Sequence, residues 1–205
     1  MKRTIQFAFA LAVAAFAWQV VADMGDIVNE LQRKRLVAEC RLAPHIGTLY
    51  LTHCVGAANV IGVTNRVYTG AAITFDPVVV LGGNTLTKST DYTQAFTNNT
   101  NVGKATVRIA ANRTGLFGSI AKTFEITPHP ITDSMVSNIT AQAYTGSPVE
   151  PTPSVVFNGS LLSTNTDYSV SYADNVASNA HAKCIITGKG NFGGEVVKEF
   201  TIGGE

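Results

Sequence analysis

The feature that most constrains this chain is an internal repeat with an offset of 76 residues. Tyr68-Thr-Gly70 recurs as Tyr144-Thr-Gly146, and Thr90-Asp91-Tyr92 recurs as Thr166-Asp167-Tyr168. The same offset relates further turn and apolar residues, namely Pro77/Pro153, Val79/Val155, Gly83/Gly159, Leu86/Leu162, Phe124/Phe200 and Ile126/Ile202. Insertions fall only at Gly- and Asn-rich points, where loops tolerate them. The sequence therefore predicts a tandem duplication, with repeats at residues 60–127 and 128–203.

Within each repeat the residue pattern is that of short strands. Ala105-Thr-Val107-Arg-Ile109 alternates apolar and polar residues, and Tyr168-Ser-Val170-Ser-Tyr172 does the same. Gly- and Asn-rich turns separate the strands about every ten residues. These features predict an all-β chain in which each repeat is an antiparallel sandwich or barrel. A repeat of about 70 residues buries only about 60% of its surface, so each core should be small.

The repeated landmarks are similar to the Tyr-Asp-Gly-type immunoglobulin-like repeats of bacterial surface proteins. In order, and twice, they are Tyr-x-Gly, Pro-x-Val-Val, Gly-x-x-Leu, Thr-Asp-Tyr, Gly-x-Phe-Gly and Phe-x-Ile. The resemblance covers residues 60–127 and 131–203, with Thr69 and Thr145 standing where that family has its Asp. It implies two tandem immunoglobulin-like antiparallel β-sandwiches, used as stalk or adhesive modules of exported proteins. It implies no catalytic residues.

The N-terminus has the outline of a secretory signal peptide. Lys2 and Arg3 precede an uncharged, mostly apolar run from Ile5 to Ala22. We expect cleavage after Ala22, which would place the mature protein outside the cell or on its surface. The alternative is a retained apolar helix over residues 1–22, and only then would the chain contact a membrane.

Residues 23–59 match nothing in the repeats and form a separate N-terminal segment. Asp26 can cap a helix from about Ile27 to Cys40, with basic residues in its later turns as the helix dipole favours. Two interpretations remain open for this helix. It packs on the first sandwich, or it serves as an oligomerisation or docking helix.

The three cysteines are compatible with export to an oxidising compartment. Cys40 and Cys54 lie outside the repeats and are the disulfide candidates, whereas Cys184 falls in a strand pattern as a small apolar residue. His45 and His53 lie beside the first two cysteines. Their spacing matches no known short zinc motif, so no metal site is predicted there.

Paired acids and amides recur in both repeats. Asp91 and Asp167 occupy equivalent positions, as do Asn99 and Asn175. The carboxylates either accept N–H groups of a turn or, with the amides, provide oxygen ligands for Ca²⁺. Gly188-x-Gly190-x-x-Gly193 fits the dinucleotide fingerprint, but the residues after it read as a strand rather than the required helix. No catalytic residue and no cofactor are therefore predicted.

The charge and the aromatic residues narrow the binding partners. A net charge of +1 with one short basic run, Arg33-Lys34-Arg35, excludes a typical nucleic-acid binder. Aromatic residues repeated in both halves predict core positions; they are Tyr68/Tyr144, Tyr92/Tyr168, Phe96/Tyr172, Phe117/Phe192 and Phe124/Phe200. Outside the leader, the aromatics without a counterpart are Tyr50, Phe75 and Phe157, the candidates for ligand contact.

Together these observations predict a non-enzymatic, exported structural or adhesive surface protein. Its partners would be other surface or assembly proteins, or glycans, and it could be an oligomer. Two alternatives stay open. One is a carbohydrate- or cell-wall-binding module, and the other is a subunit of a fibre or virion with a retained N-terminal helix.

Overall fold

Strands dominate the computed structural model, which describes residues 53–178 and 181–203. Within these residues the strands are β1 Asn59–Ile61, β2 Arg66–Val67, β3 Val78–Leu81, β4 Asn84–Thr85, β5 Tyr92–Thr97, β6 Gly103–Ala111, β7 Ser119–Thr127, β8 His129–Pro130, β9 Gln142–Ala143, β10 Val156–Phe157, β11 Ser160–Leu161, β12 Tyr168–Ala173, β13 His181–Gly188, β14 Phe192–Gly193 and β15 Glu195–Gly203. Short 3-10 helices span Val55–Ala57 and Asp133–Met135. The all-β prediction is confirmed. The predicted N-terminal segments at 1–22 and 27–40 lie outside the described residues.

The chain contacts divide the protein into two compact units. Of the residues that the structure describes, unit 1 comprises residues 53–61, 77–95 and 108–121. Unit 2 comprises residues 62–76, 96–107, 122–178 and 181–203. Strands β5, β6 and β7 each contribute residues to both units. The repeat boundaries at 60–127 and 128–203 remain a prediction from the sequence.

Unit 1 contains the three-stranded sheet β1-β3-β4, in which both pairings are antiparallel. Val79 and Leu81 of β3 are buried while Val78 is 48% exposed, as the alternation of a strand requires. The buried apolar residues of unit 1 are Cys54, Val55, Ala58, Val79, Leu81, Tyr92 and Ile109.

Unit 2 contains the four-stranded sheet β12-β13-β15-β9. Strands β12, β13 and β15 pair antiparallel, with Tyr172 opposite Cys184 and Ile186 opposite Val196. Every second residue of β15 points inward. The core packed around this sheet consists of Ile131, Val136, Val149, Val155, Tyr168, Ala182, Cys184, Ile186, Phe192, Val196, Phe200 and Ile202.

A second four-stranded sheet has the order β2-β7-β6-β5. Within unit 2, a separate apolar cluster consists of the buried residues Ile73, Ala105, Phe124 and Ile126. The expectation of purely antiparallel pairing is wrong for three short strand pairs, because β2–β7, β9–β15 and β8–β14 are parallel. Each pair joins strands separated by a long stretch of chain, which parallel pairing requires and a hairpin cannot supply.

Hydrogen bonds from asparagine side chains to backbone carbonyls recur at positions 76 residues apart. The side-chain amide of Asn99 donates to the Ile73 carbonyl at 2.8 Å, and the side-chain amide of Asn175 donates to the Val149 carbonyl at 3.1 Å. Left-handed backbone recurs too, with φ of 68° at Ser89 and 70° at Asn165. Such a conformation disfavours most side chains, so its recurrence reflects the same turn geometry in both places.

Tyr172 makes the stability of the folded state depend on pH in the alkaline range. Burial, with Cys184 and Glu150 adding to it, raises the pKa of Tyr172 from 10.0 to about 12. Its hydroxyl donates to the Pro151 carbonyl at 2.6 Å. Because the folded state holds the proton more tightly, this stabilisation is complete below the unfolded pKa and is lost as the pH rises towards about 12.

We therefore expect the free energy of unfolding to fall less steeply above pH 10 in Tyr172→Phe than in the parent chain. Urea unfolding at about pH 9 and about pH 11 would measure the difference. Equal slopes in the two proteins would contradict the assignment.

Candidate functional site

Four rings of unit 2 form one aromatic cluster, which we call the ring cluster: Tyr68, His129, Phe157 and Phe192. Phe157 stacks on Tyr68 at a centroid distance of 6.1 Å and lies 4.6 Å from the His129 ring. Phe192 packs edge-on against both Tyr68 at 5.5 Å and Phe157 at 5.2 Å. Offset and edge-on contacts of this kind stabilise a pair by about 0.5–1.5 kcal/mol beyond its buried area.

Strand pairing brings these rings together. Strand β8 lies parallel to β14, with His129 opposite Phe192. The His129 N–H donates to the Asn191 carbonyl at 2.9 Å, and the Ile131 N–H donates to the Gly193 carbonyl at 2.8 Å. The segment between β7 and the following 3-10 helix is thus hydrogen-bonded on both sides of Pro130.

Hydrogen bonds also hold the Tyr68–Gly70 backbone against this cluster. Nδ1 of His129 lies 3.1 Å from the Tyr68 carbonyl oxygen, an acceptor, which assigns a proton to Nδ1. The Asn158 side-chain amide donates to the Thr69 carbonyl at 2.9 Å. At Gly70, where φ is +84°, an added Cβ would lie 3.2 Å from a ring carbon of Phe157. A glycine therefore suits both the turn and the close approach.

Asn191 makes a second connection inside unit 2. Its Oδ1 accepts the N–H of Val102 at 2.9 Å, and its Nδ2 donates to Oδ1 of Asn101 at 3.1 Å. Both partners belong to the Asn98–Lys104 loop, which lines an open depression of about 430 Å³. One asparagine side chain thus fixes this loop to the turn before β14.

The predicted ligand-contact aromatics have different surroundings. Phe157 belongs to the ring cluster. Phe75 packs edge-on against Phe96 at 5.2 Å and Phe124 at 5.1 Å, and the Arg66 guanidinium lies 4.8 Å above its ring. Tyr50 lies outside the described residues.

The paired tyrosines that open the two repeats differ in exposure. Tyr68 packs in the ring cluster, whereas Tyr144 is 51% exposed. The prediction that both are core residues is therefore wrong for Tyr144. Phe157 and Phe192 pack against the Tyr68 ring and account for its burial.

The two equivalent aspartates accept turn N–H groups. Oδ2 of Asp91 accepts the Thr87 N–H at 2.8 Å, and Oδ2 of Asp167 accepts the Ser163 N–H at 2.8 Å. Asp91 is 6% exposed, and its Oδ1 lies 2.8 Å from Arg113 Nη1 in an ion pair without hydrogen-bond geometry. These distances support the turn interpretation of both residues. Within the described ranges no three His, Cys, Asp or Glu side chains are grouped to hold a metal ion.

The difference in burial between these aspartates predicts different mutational effects. Asp91→Ala removes a buried carboxylate and its charge-assisted hydrogen bond, so we expect it to lower the free energy of unfolding by about 2 kcal/mol. Asp167→Ala, at the more exposed equivalent position, should lower it by about 1 kcal/mol. Urea unfolding of the two variants makes the comparison. A larger effect for Asp167→Ala would contradict this assignment.

The cysteines fall into two classes. Cys54 is buried and disulfide-bonded, while Cys184 is buried and has a free thiol. Burial raises the pKa of the Cys184 thiol. The proposed partner Cys40 lies outside the described residues, as does His45, so the pairing of Cys40 with Cys54 stays a prediction.

The glycine-rich run that resembles a dinucleotide fingerprint allows two backbone segments to pack closely. The run Gly188-x-Gly190-x-x-Gly193 ends in β14 and is followed by β15 rather than by a helix, as the sequence predicted. A Cβ on Gly188 would lie 2.6 Å from the backbone nitrogen of Gly193. Gly188 is therefore required by a close approach of two backbone segments.

Sequence reasoning missed the roles of His129, Asn158 and Asn191. A signal was present for Asn158, since Phe157 and Asn158 stand where the first repeat has Leu81 and Gly82. Positions at which two repeats differ are positions at which their surroundings differ. No comparable signal identified His129, which lies in the connection between the repeats.

Among the described residues, no helix has the length and apolar character needed to cross a membrane. No protein-family model matches the chain, and no curated protein or solved structure is significantly similar to it.

Proposed function

We propose that this chain is a non-enzymatic, exported structural or adhesive surface protein. Two immunoglobulin-like sandwiches in tandem would form a short stalk, with the N-terminal segment providing attachment. The ring cluster is the observation that carries this proposal.

The ring cluster supports a stalk because it fixes the connection between the predicted repeats. Tyr68 and Thr69 of the first repeat contact Phe157, Asn158 and Phe192 of the second. The gathered side chains are rings and amides, which hold backbone segments in place. A stalk needs a fixed connection of this kind between its modules. In a flexible tether the connecting residues would be exposed to solvent instead.

The hydrogen bonds that recur at an offset of 76 residues support the tandem arrangement. Asp91 and Asp167 each accept the N–H group of the residue four positions earlier, and the left-handed residues Ser89 and Asn165 stand 76 positions apart. The signal-peptide pattern and the disulfide at Cys54 support export, because disulfides persist in oxidising compartments.

Hydrogen exchange tests the stalk. We expect the amides of His129 and Ile131 to be protected in the parent chain, because both donate to carbonyls of β14 and its preceding turn. Tyr68→Ala should raise their exchange rates about 5- to 10-fold, in line with the loss of a ring contact of about 1 kcal/mol.

Tyr144→Ala is the matched control for this experiment, since it removes the exposed tyrosine at the equivalent position. It should leave the two amides protected. Amides of His129 and Ile131 that exchange as fast as those of an unfolded peptide in the parent chain would refute the stalk proposal.

Intact mass of the protein from its native source tests export. A chain beginning at Asp23, lighter by two hydrogens than its reduced form, would support a secreted stalk with one disulfide. A chain beginning at Met1 with free thiols would favour the fibre or virion subunit instead.

A binding experiment tests the carbohydrate-binding alternative. Specific retention on a polysaccharide, lost in Phe75→Ala, would favour the carbohydrate-binding module.

A further inference from the structure

Lys198 is an unusual residue in the core of unit 2. It lies in β15 between the buried residues Val196 and Phe200, in the inward-facing row of that strand. Its exposure is 8%, and Asp91 is the other charged residue buried to this extent among residues 53–178 and 181–203. Lysine is almost never buried without a partner.

Two polar groups of the same unit surround the Lys198 amine. Nζ lies 2.6 Å from Oδ1 of Asp133, which belongs to the 3-10 helix beside β15. Nζ also lies 3.4 Å from Oδ1 of Asn138. The Cγ of Asn138 is bonded to that oxygen at about 1.2 Å and so lies within about 4.6 Å of Nζ.

The equivalent lysine of the first repeat has a different setting. Lys122 is exposed, and the positions that match Asp133 and Asn138 are Ala57 and Gly62. The lysine is therefore buried where both polar partners are present and exposed where neither is. Lys198, Asp133 and Asn138 therefore occur together as a set. An ordinary ion pair at the surface would not require the lysine to be buried.

The set contains a nucleophile, an electrophile and a proton acceptor. A neutral lysine amine is a nucleophile, and an adjacent carboxylate can accept its proton. The Asn138 carboxamide provides a carbonyl carbon with a nitrogen leaving group. A largely buried amine held at a fixed position favours reaction between groups that would not react in free solution.

We propose that Lys198 and Asn138 become joined by an intramolecular isopeptide bond, with Asp133 transferring protons. Asp133 takes one proton from the Lys198 ammonium, and the freed Nζ attacks Cγ of Asn138. The new Nζ–Cγ bond forms and the Cγ–Nδ2 bond breaks. Nδ2 leaves as ammonium, carrying the two protons that Nζ gives up, and Asp133 ends as a carboxylate. The step needs no oxidant or cofactor.

The bond would connect residues 60 positions apart in the chain. It would link the segment that follows the Asp133–Met135 helix to the last strand of the second repeat. The Asp133 side chain is 77% exposed, so the released ammonium has a path to water.

A tryptic map of the full-length chain, reduced and alkylated, tests the proposal. We expect one branched species that joins the peptide containing Asn138 to the peptide containing Lys198, lighter than their sum by one ammonia. Trypsin should no longer cleave after Lys198. Asp133→Asn should slow formation of the branched species at least 100-fold, in the range that a general base contributes.

Lys198→Arg keeps the positive charge but removes the nucleophile, and Asn138→Ala removes the electrophile at an exposed position. Both variants should give only linear peptides, whereas the control Lys122→Arg should give the branched species as the parent does. If Lys198→Arg fails to fold, Asn138→Ala supplies the comparison. Linear peptides with unmodified Lys198 and Asn138 from the aged, folded parent chain would overturn the proposal. Loss of ammonia confined to a single linear peptide would overturn it as well.

Discussion

Replacing Phe192 with alanine should lower the free energy of unfolding by about 3–5 kcal/mol, the range of a large-to-small change in a core. Phe192 is 4% exposed and touches three other rings as well as the core around β15. Its loss would leave a cavity that the paired strands β8 and β14 cannot fill without losing their register. Urea unfolding followed by circular dichroism measures the change.

Two further variants show whether the effect comes from the Phe192 ring and its contacts. Val197→Ala, at a position 43% exposed, should change the free energy of unfolding by less than about 0.5 kcal/mol. Tyr68→Ala made in the Phe192→Ala background should cost about 1 kcal/mol less than in the parent chain, because the ring contact is already gone. Additive effects would mean that the two rings do not interact.

Gly188→Ala should lower the free energy of unfolding by about 3 kcal/mol. The added Cβ would lie 2.6 Å from the nitrogen and 2.7 Å from the Cα of Gly193. Both are backbone atoms of β14, so neither can rotate away as a flexible side chain would. The strand would have to shift, and the hydrogen bonds of β14 with β8 would be disturbed.

Gly203→Ala is the matched control, because its Cβ would meet nothing nearer than the Gln142 carbonyl at 4.0 Å. It should be neutral or slightly stabilising, since alanine restricts the unfolded chain more than glycine does. The same unfolding measurement covers both variants. A Gly188→Ala protein as stable as Gly203→Ala would show that the two backbone segments are farther apart than described.

Much of the fold could be predicted from local sequence pattern. The alternation in residues 105–109 and 168–172 was sufficient to place β6 and β12, because strands with one buried face repeat every two residues. The fully buried residues Ala105, Ile109 and Ile186 follow the same rule. The parallel pairs were not predictable in this way. Strands of two residues, such as β8 and β9, are too short to show any period.

The candidate site was predictable only in part. Phe157 could be identified as an aromatic without a counterpart, but its contacts with neighbouring rings could not. Contacts such as Asn158 with Thr69, or Asn191 with Asn101, join residues about 90 positions apart. No sequence pattern encodes a contact of that kind, since it depends on how completed strands meet. The same is true of Lys198, whose burial follows from its partners Asp133 and Asn138.

The direction of the pairing between β9 and β15 has a mechanical consequence. Gln142–Ala143 lies near the start of the predicted second repeat and pairs parallel with Ile202–Gly203 near its end. Tension that draws the start and the end of the repeat apart would slide these strands along each other, loading their hydrogen bonds together. An antiparallel pair pulled at one end opens one bond at a time. Two modules of equal equilibrium stability can therefore differ in the force at which they yield, and the parallel arrangement favours the higher force.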